Sequence, residues 1–247
     1  MASSHGRRRS SGKRPTDAAK KRPSDKPSPA KPRPRKAAPA AAPASVEPVA
    51  SGPFRLGAIP GATPGKWIDV WKERMPAHPL ELVPIEVATQ RESLDDGSVD
   101  AALVRLPIHA EALHVIPLYD ELPVVVMAKD SHLTAADELE FADLAGEVLI
   151  VPADDVLAIG IPGTITPAFA PPATTADAIA TVAAGVGIVV VPMSLARLHR
   201  RRDADYRPLR GVAPSAVGLA WPVAGTTPAV EAFVGIVRGR TANSSRG

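Results

Sequence analysis

From residue 54 onward, apolar positions fall into short runs separated by turn residues, and these runs alternate with segments of helical period. Phe54-Arg55-Leu56-Gly57-Ala58-Ile59 alternates and predicts a strand. The turn Pro60 to Gly65 follows, then a helix from about Pro64 to Met75, with Thr63 as a possible N-cap and Pro64 at the first helical position. Trp67 and Trp71 lie four apart on one face of that helix, as core or dimer contacts. Leu80–Ile85 is a second strand whose proline places it at an end or edge. Ala88–Asp96 is a second helix and Val99–Arg105 a third strand, so the first fifty residues of the body form βαβ units.

The same grammar continues. Leu113–Leu118 and Glu121–Lys129 predict strands, Leu139–Leu144 a short helix, and Val148–Val151 a strand. Thr174 is placed to cap a helix ending near Ala184, with Asp177 three residues on. Gly185-Val186-Gly187 makes a tight turn into the buried run Ile188–Val191, and a short helix spans Met193–His199. Tyr206–Leu209 and Val217–Val223 are strands, and Pro228–Val237 is the last helix. Two strand-helix series with a late return to strands suit two lobes joined by two crossovers, placed near Ala128-Lys129 and Asp203–Tyr206.

Charge divides the chain of 247 residues in two. Residues 1–50 carry 13 Lys/Arg against 3 Asp/Glu, a net of +10, with nine Pro, eleven Ala and no aromatic residue. Residues 51–247 carry 16 Lys/Arg against 23 Asp/Glu, a net of −7. The first segment cannot bury enough apolar area to offset chain ordering, so residues 1–51 are expected to be a disordered tail, and 241–247 a second one. The tail is either a solubilising extension, in part a misassigned start, or a nucleic-acid arm in which Lys20, Lys21, Arg22, Lys31, Arg33, Arg35 and Lys36 meet phosphates without reading sequence. The absence of Cys removes disulfide scaffolds, thiolate zinc sites and cysteine catalysis. No apolar run approaches the ~20 residues of a membrane span, and no apolar region follows the N-terminal basic residues, so the expected location is the cytoplasm.

Four segments together carry a resemblance: Phe54-Arg55-Leu56-Gly57 with its small-residue turn; Leu80–Val83 with Leu94–Arg105; Ile116–Met127 followed by Ser131-His132-Leu133; and Thr181–Pro192. In this order and spacing, residues 52–240 resemble the effector-binding domain of LysR-type transcriptional regulators. The resemblance implies an α/β, two-lobed type 2 periplasmic-binding-protein-like fold, each lobe a mixed, mostly parallel sheet flanked by helices. Lobe one would comprise 54–128 and 205–239, and lobe two 129–204. It further implies a small-molecule effector, commonly an anion such as a carboxylate, held between the lobes, and assembly at least as a homodimer. The family's winged helix-turn-helix is not found in residues 1–51, which leaves only nonspecific DNA contact by the tail.

Ligands in such sheets sit beyond strand ends, near helix starts. Gly61, Ala62 and Thr63 follow the first strand, where free amides and a hydroxyl suit an oxyanion, although Thr63 also reads as a plain cap. Arg105 ends the third strand and suits a carboxylate, from a ligand or from the protein itself. Thr164, after the Val148 run, is the candidate on the opposite wall or part of a surface loop. No nucleophile elbow, phosphate loop, dinucleotide fingerprint or metal-ligand spacing appears, so neither enzyme chemistry nor a cofactor or metal is expected. Two other readings stay open: a noncatalytic interaction module whose pocket has degenerated, and an enzyme on the same two-lobe fold.

Overall fold

The computed structural model describes residues 52–239; the expected tails at 1–51 and 241–247 lie outside them. The first lobe opens with β1 (Phe54–Ala58), α1 (Gly65–Arg74), β2 (Leu80–Pro84), α2 (Gln90–Asp95), β3 (Ala101–Arg105) and β4 (Leu113–Glu121). The second holds β5 (Pro123–Ala128), α3 (Thr175–Ala183), β6 (Val189–Pro192), α4 (Met193–Leu198) and β7 (Ala204–Pro208). The chain then returns through β8 (Ser215–Pro222) and α5 (Pro228–Val237).

Two sheets result, ordered β2-β1-β3-β8-β4 and β6-β5-β7. β1 pairs in parallel with β2 and β3, while β8 runs antiparallel between β3 and β4. The smaller sheet is antiparallel, extended by parallel bridges Val148↔Ile165 and Leu149↔Ile188. Both lobes are therefore mixed, with less parallel pairing than the sequence suggests. β5 and β7 also belong to lobe two, so the crossovers differ from those expected at Ala128-Lys129 and Asp203–Tyr206. The chain leaves the first sheet at Leu122, between β4 and β5, and re-enters it at Ser215.

Burial explains the strand order. Every residue of β3 and of β5 is buried, as central strands covered on both faces require, whereas β2 at an edge is half exposed. On one face of the first sheet, α1 and α5 bring Trp71 and Phe233 onto Phe54, with ring centroids 4.9 Å (Phe54–Trp71) and 5.2 Å (Phe54–Phe233) apart. Such pairs add about 0.5–1.5 kcal/mol each beyond their buried area. On the other face Leu94 of α2 packs with Ile59, Val99 and Val104. Trp67 is only half-buried against the same cluster as Trp71, so the two tryptophans do not share one fate.

Local signals set the helix ends. The Thr174 hydroxyl accepts from the Asp177 amide at 3.1 Å, capping α3. Thr227 does the same for Val230 at 3.3 Å in α5. α3 is stopped by Gly185, whose φ is +88°, and the chain then enters β6 through a position only Gly187 can fill: its φ is +62°, and a Cβ there would lie 2.2 Å from the Val148 carbonyl oxygen. α1 departs from the expectation. It begins at Gly65 with Pro64 at the cap position, and no side chain caps it, so Thr63 is not an N-cap.

Candidate functional site

The site is built where the two lobes meet. β1 ends in the loop Gly61-Ala62-Thr63 on the first lobe, and β6 ends in α4 on the second. Between them runs the β4 end, where a register shift between Pro117 and Tyr119 bends the strand before the crossover. Together they enclose a cleft of about 620 Å³, lined by Gly61 to Thr63, Tyr119 to Leu122, Met193, Ser194, Arg197 and Leu198.

The lobes touch at its floor. Gly61 has φ +86°, and a Cβ on it would lie 2.5 Å from Ser194 Oγ. Only a glycine allows this approach. Ser194 in turn donates to Glu121 Oε2 at 2.8 Å, so α4 of the second lobe is tied to the crossover itself.

Behind this wall lies a buried polar cluster. Arg105 is 4% exposed and Glu121 8%. Arg105 Nη2 donates to Glu121 Oε2 at 3.1 Å, and Nη1 donates to Ser215 Oγ at 2.6 Å. Glu121 ends β4 and Ser215 starts β8, so one guanidinium fastens both crossover segments. Arg105 Nε is buried with no hydrogen-bond partner. The backbone of Arg105 is held separately: Gln90 Oε1 accepts from its amide at 2.8 Å, and Gln90 Nε2 donates to its carbonyl at 2.9 Å. A side-chain amide thus continues the ladder where β1 has ended.

The cleft itself mixes charges and apolar surface. Tyr119 has its phenol pKa raised, first by burial and then by the Glu121 carboxylate, with Arg105 opposing. It stays a neutral donor at physiological pH. Arg197 is exposed on α4 and lines the cleft; its Nε donates to the Tyr206 hydroxyl at 3.5 Å, and its Nη groups make no hydrogen bond among the described residues. Leu122 and Leu198, 53% and 55% exposed, supply apolar walls.

The residues singled out in the sequence separate into three groups. Gly61, Ala62 and Thr63 line the cleft, and the Thr63 hydroxyl makes no hydrogen bond among the described residues. Arg105 does not line it, because its carboxylate partner is the protein's own Glu121. Thr164 lies elsewhere: its hydroxyl donates to the Ile161 carbonyl at 2.8 Å, and it borders a separate apolar depression with Val151, Ile165 and Phe169. Sequence reasoning does not reach Tyr119, Glu121, Ser194 and Arg197. A signal for Glu121 exists, since a carboxylate beside the run Val124 to Met127 needs a buried cation. Arg197 carries no such mark, because α4 reads as a plain helix closing a strand. The tail cations at 20–36 lie outside the described residues. Among the described residues no group of three or more His, Asp or Glu is placed to hold a metal ion, and no helix is long and apolar enough to cross a membrane.

Comparison with known proteins accounts for this geometry. The family described as LysR substrate binding domain matches residues 49–242. The Hca operon transcriptional activator HcaR of Escherichia coli is 26% identical over 202 residues, covering 76% of this chain and 68% of that protein. The HTH-type transcriptional regulator CatR of Pseudomonas putida is 36% identical over 138 residues, covering 51% of this chain and 47% of CatR. Among solved structures, the oxidised form of OxyR superposes with TM-score 0.62 at 24% identity, covering 77% of this chain and 96% of that one. The BenM effector-binding domain with its effector benzoate gives 0.62 at 20%, covering 77% and 95%. These structures share the two-lobed fold, and the named relatives are regulators rather than enzymes. Two mixed-sheet lobes meeting over a cleft, a match spanning all the described residues, and relatives of one regulatory type agree: this chain belongs to the LysR substrate-binding domain family, as a non-enzymatic, ligand-sensing regulatory domain.

Proposed function

We propose that the chain senses a small carboxylate-bearing metabolite in the cleft between its lobes. The observation that carries this reading is the lining: one exposed arginine, Arg197, shares the cleft with a glycine-bearing loop and the neutral donor Tyr119, between apolar walls. About 620 Å³ falls within the 300–1,000 Å³ of small-ligand sites. In this arrangement Arg197 takes the carboxylate bidentately, Thr63 Oγ1 and the amides of Gly61 and Thr63 add donors, and Leu122, Met193 and Leu198 enclose the apolar remainder. Arg105 acts indirectly, by fixing Glu121 and thereby Ser194 and the lobe contact.

The ligand works by differential affinity. It favours whichever lobe arrangement brings Arg197 and the Gly61 loop to it together, and it shifts the population only by that difference. The readout is a change in the surface of a homodimer in the cytoplasm, with nonspecific DNA contact through residues 1–51. An interaction module with a degenerate pocket fits less well, since its own side chains would fill the cleft.

Isothermal titration of the full chain against benzoate, succinate and inorganic phosphate tests the reading. A carboxylate is expected to bind, with at least tenfold loss in Arg197→Gln. Failure of every carboxylate, or affinity unchanged in that variant, argues against it. Light scattering in the same buffer checks the dimer.

A further inference from the structure

A second concave surface lies on lobe two, sharing only Arg197 with the proposed effector site. Its volume is about 1220 Å³, and it is lined by Lys129, Arg197, Arg200, Arg201, Arg202, Ala204, Asp205 and Tyr206. Five of the sixteen Lys and Arg in residues 51–247 gather here, on a body whose net charge is −7. Such a concentration runs against the sign of the rest of the domain. The acids nearby cancel only part of it. Asp203 engages Arg201 at 3.3 Å, and Asp205 engages Arg207 at 2.9 Å. Arg200 and Arg202 make no ion pair or hydrogen bond among the described residues, and Arg200, Arg201 and Arg202 are all exposed.

We propose that this arginine-lined surface of lobe two, centred on Arg200, Arg201 and Arg202, binds the phosphate backbone of duplex DNA. The volume exceeds that of small-ligand sites, and five of the eight lining residues are cations. Arginine forks match phosphate oxygens bidentately, and several on one open surface suit a repeating polyanion. The choice of nucleic acid over an acidic protein follows from the rest of the chain. Residues 1–50 carry a net +10, and a phosphate backbone is a polyanion long enough to meet both cationic regions at once. The surface reads no bases. It adds affinity and fixes which face of lobe two meets the duplex. In relying on DNA contact it rests in part on the function proposed above, but not on any ligand of the cleft.

The test measures fluorescence anisotropy of a 30-base-pair duplex of arbitrary sequence from 50 to 200 mM salt. It uses four full-length chains: wild type, a patch variant (R200A/R201A/R202A), a tail variant with Lys20, Lys21, Arg22, Lys31, Arg33, Arg35 and Lys36 all replaced by Ser, and the combination. Each phosphate contact contributes about 0.9 to the salt slope, so losing three lowers it by up to about 2.7. Over this fourfold salt range the patch variant's affinity then changes by about 40-fold less than wild type. The drop is expected in both tail backgrounds. R200K/R201K/R202K should keep the slope, and all variants should unfold at the wild-type temperature, since the three side chains are exposed. An unchanged slope in the patch variant, in either background, overturns the proposal. So does a patch variant that loses binding to polyglutamate while its DNA slope stays the same. Loss confined to the tail variant would leave the tail contact standing and remove this one, and carboxylate titration of the cleft stays an independent readout.

Discussion

Replacing Glu121 by Gln is the most informative perturbation of the hinge. The substitution conserves shape and removes the negative charge facing Arg105 Nη2 at 3.1 Å. Arg105 is 4% exposed, so water does not take the carboxylate's place. Leaving a buried charge without its partner costs about 3–5 kcal/mol, a large share of the ~5–15 kcal/mol typical of a domain. The pair is not inherently a gain, because Arg105 Nε is buried and unsatisfied, at a cost of about 1–3 kcal/mol. Removing both charges should therefore restore most of the loss. Arg105→Met with Glu121→Gln is expected within about 1 kcal/mol of wild type, and Arg105→Met alone to lie between the two. The assay is urea unfolding at pH 7, with all four proteins sharing one m-value so that midpoints report stability. If Glu121→Gln costs under about 1 kcal/mol, or if the double variant loses as much as the two singles combined, the cluster does not pin the crossovers as described.

Two further outcomes follow from the site geometry. Gly61→Ala places a methyl 2.5 Å from Ser194 Oγ and 2.9 Å from its Cβ, so rotating the hydroxyl away does not relieve the contact; the lobes should separate, giving a larger radius of gyration by X-ray scattering, and Gly61→Ala/Ser194→Gly should recover compactness while keeping the ~1–2 kcal/mol strain of a non-glycine residue at positive φ. Scattering identical to wild type in the single variant would contradict the floor contact. Tyr119 should ionise above the ordinary tyrosine value of about 10. Because the folded pKa is the higher one, its stabilisation is complete below pH ~10 and is lost as pH rises through the folded value. Tyrosinate absorbance at 295 nm should show a late component that Tyr119→Phe removes, and a midpoint at or below about 10 for Tyr119 would refute the burial argument.

Much of the fold is written in short-range signals. α5 spans the predicted Pro228–Val237 because its period, its Thr227 cap and the glycine beyond its end agree. The Thr174 cap likewise follows from sequence spacing. Lobe membership does not. β5 is an apolar run that would suit the centre of either sheet, and only tertiary pairing with β6 and β7 assigns it to the second. The Val148 run meets its neighbours through single bridges instead of forming a strand. The site divides in the same way. Gly61 to Thr63 are legible because a strand end and a helix start flank them in sequence. Ser194 and Arg197 are not, because their role arises from a lobe contact between residues over 130 positions apart. Arg105 is legible as a cation needing a carboxylate, but its partner Glu121 is fixed by the turn of β4 into the crossover.

Anomalous diffraction from crystals grown with 4-iodobenzoate tests the cleft most directly. The iodine marks where an aromatic carboxylate sits without assumptions about its pose. The carboxylate site proposed in the cleft requires one strong peak between the Gly61 loop and α4, with the carboxylate on Arg197. A peak in the depression bordered by Thr164 and Phe169, or binding in solution with no ordered iodine in the cleft, would contradict it.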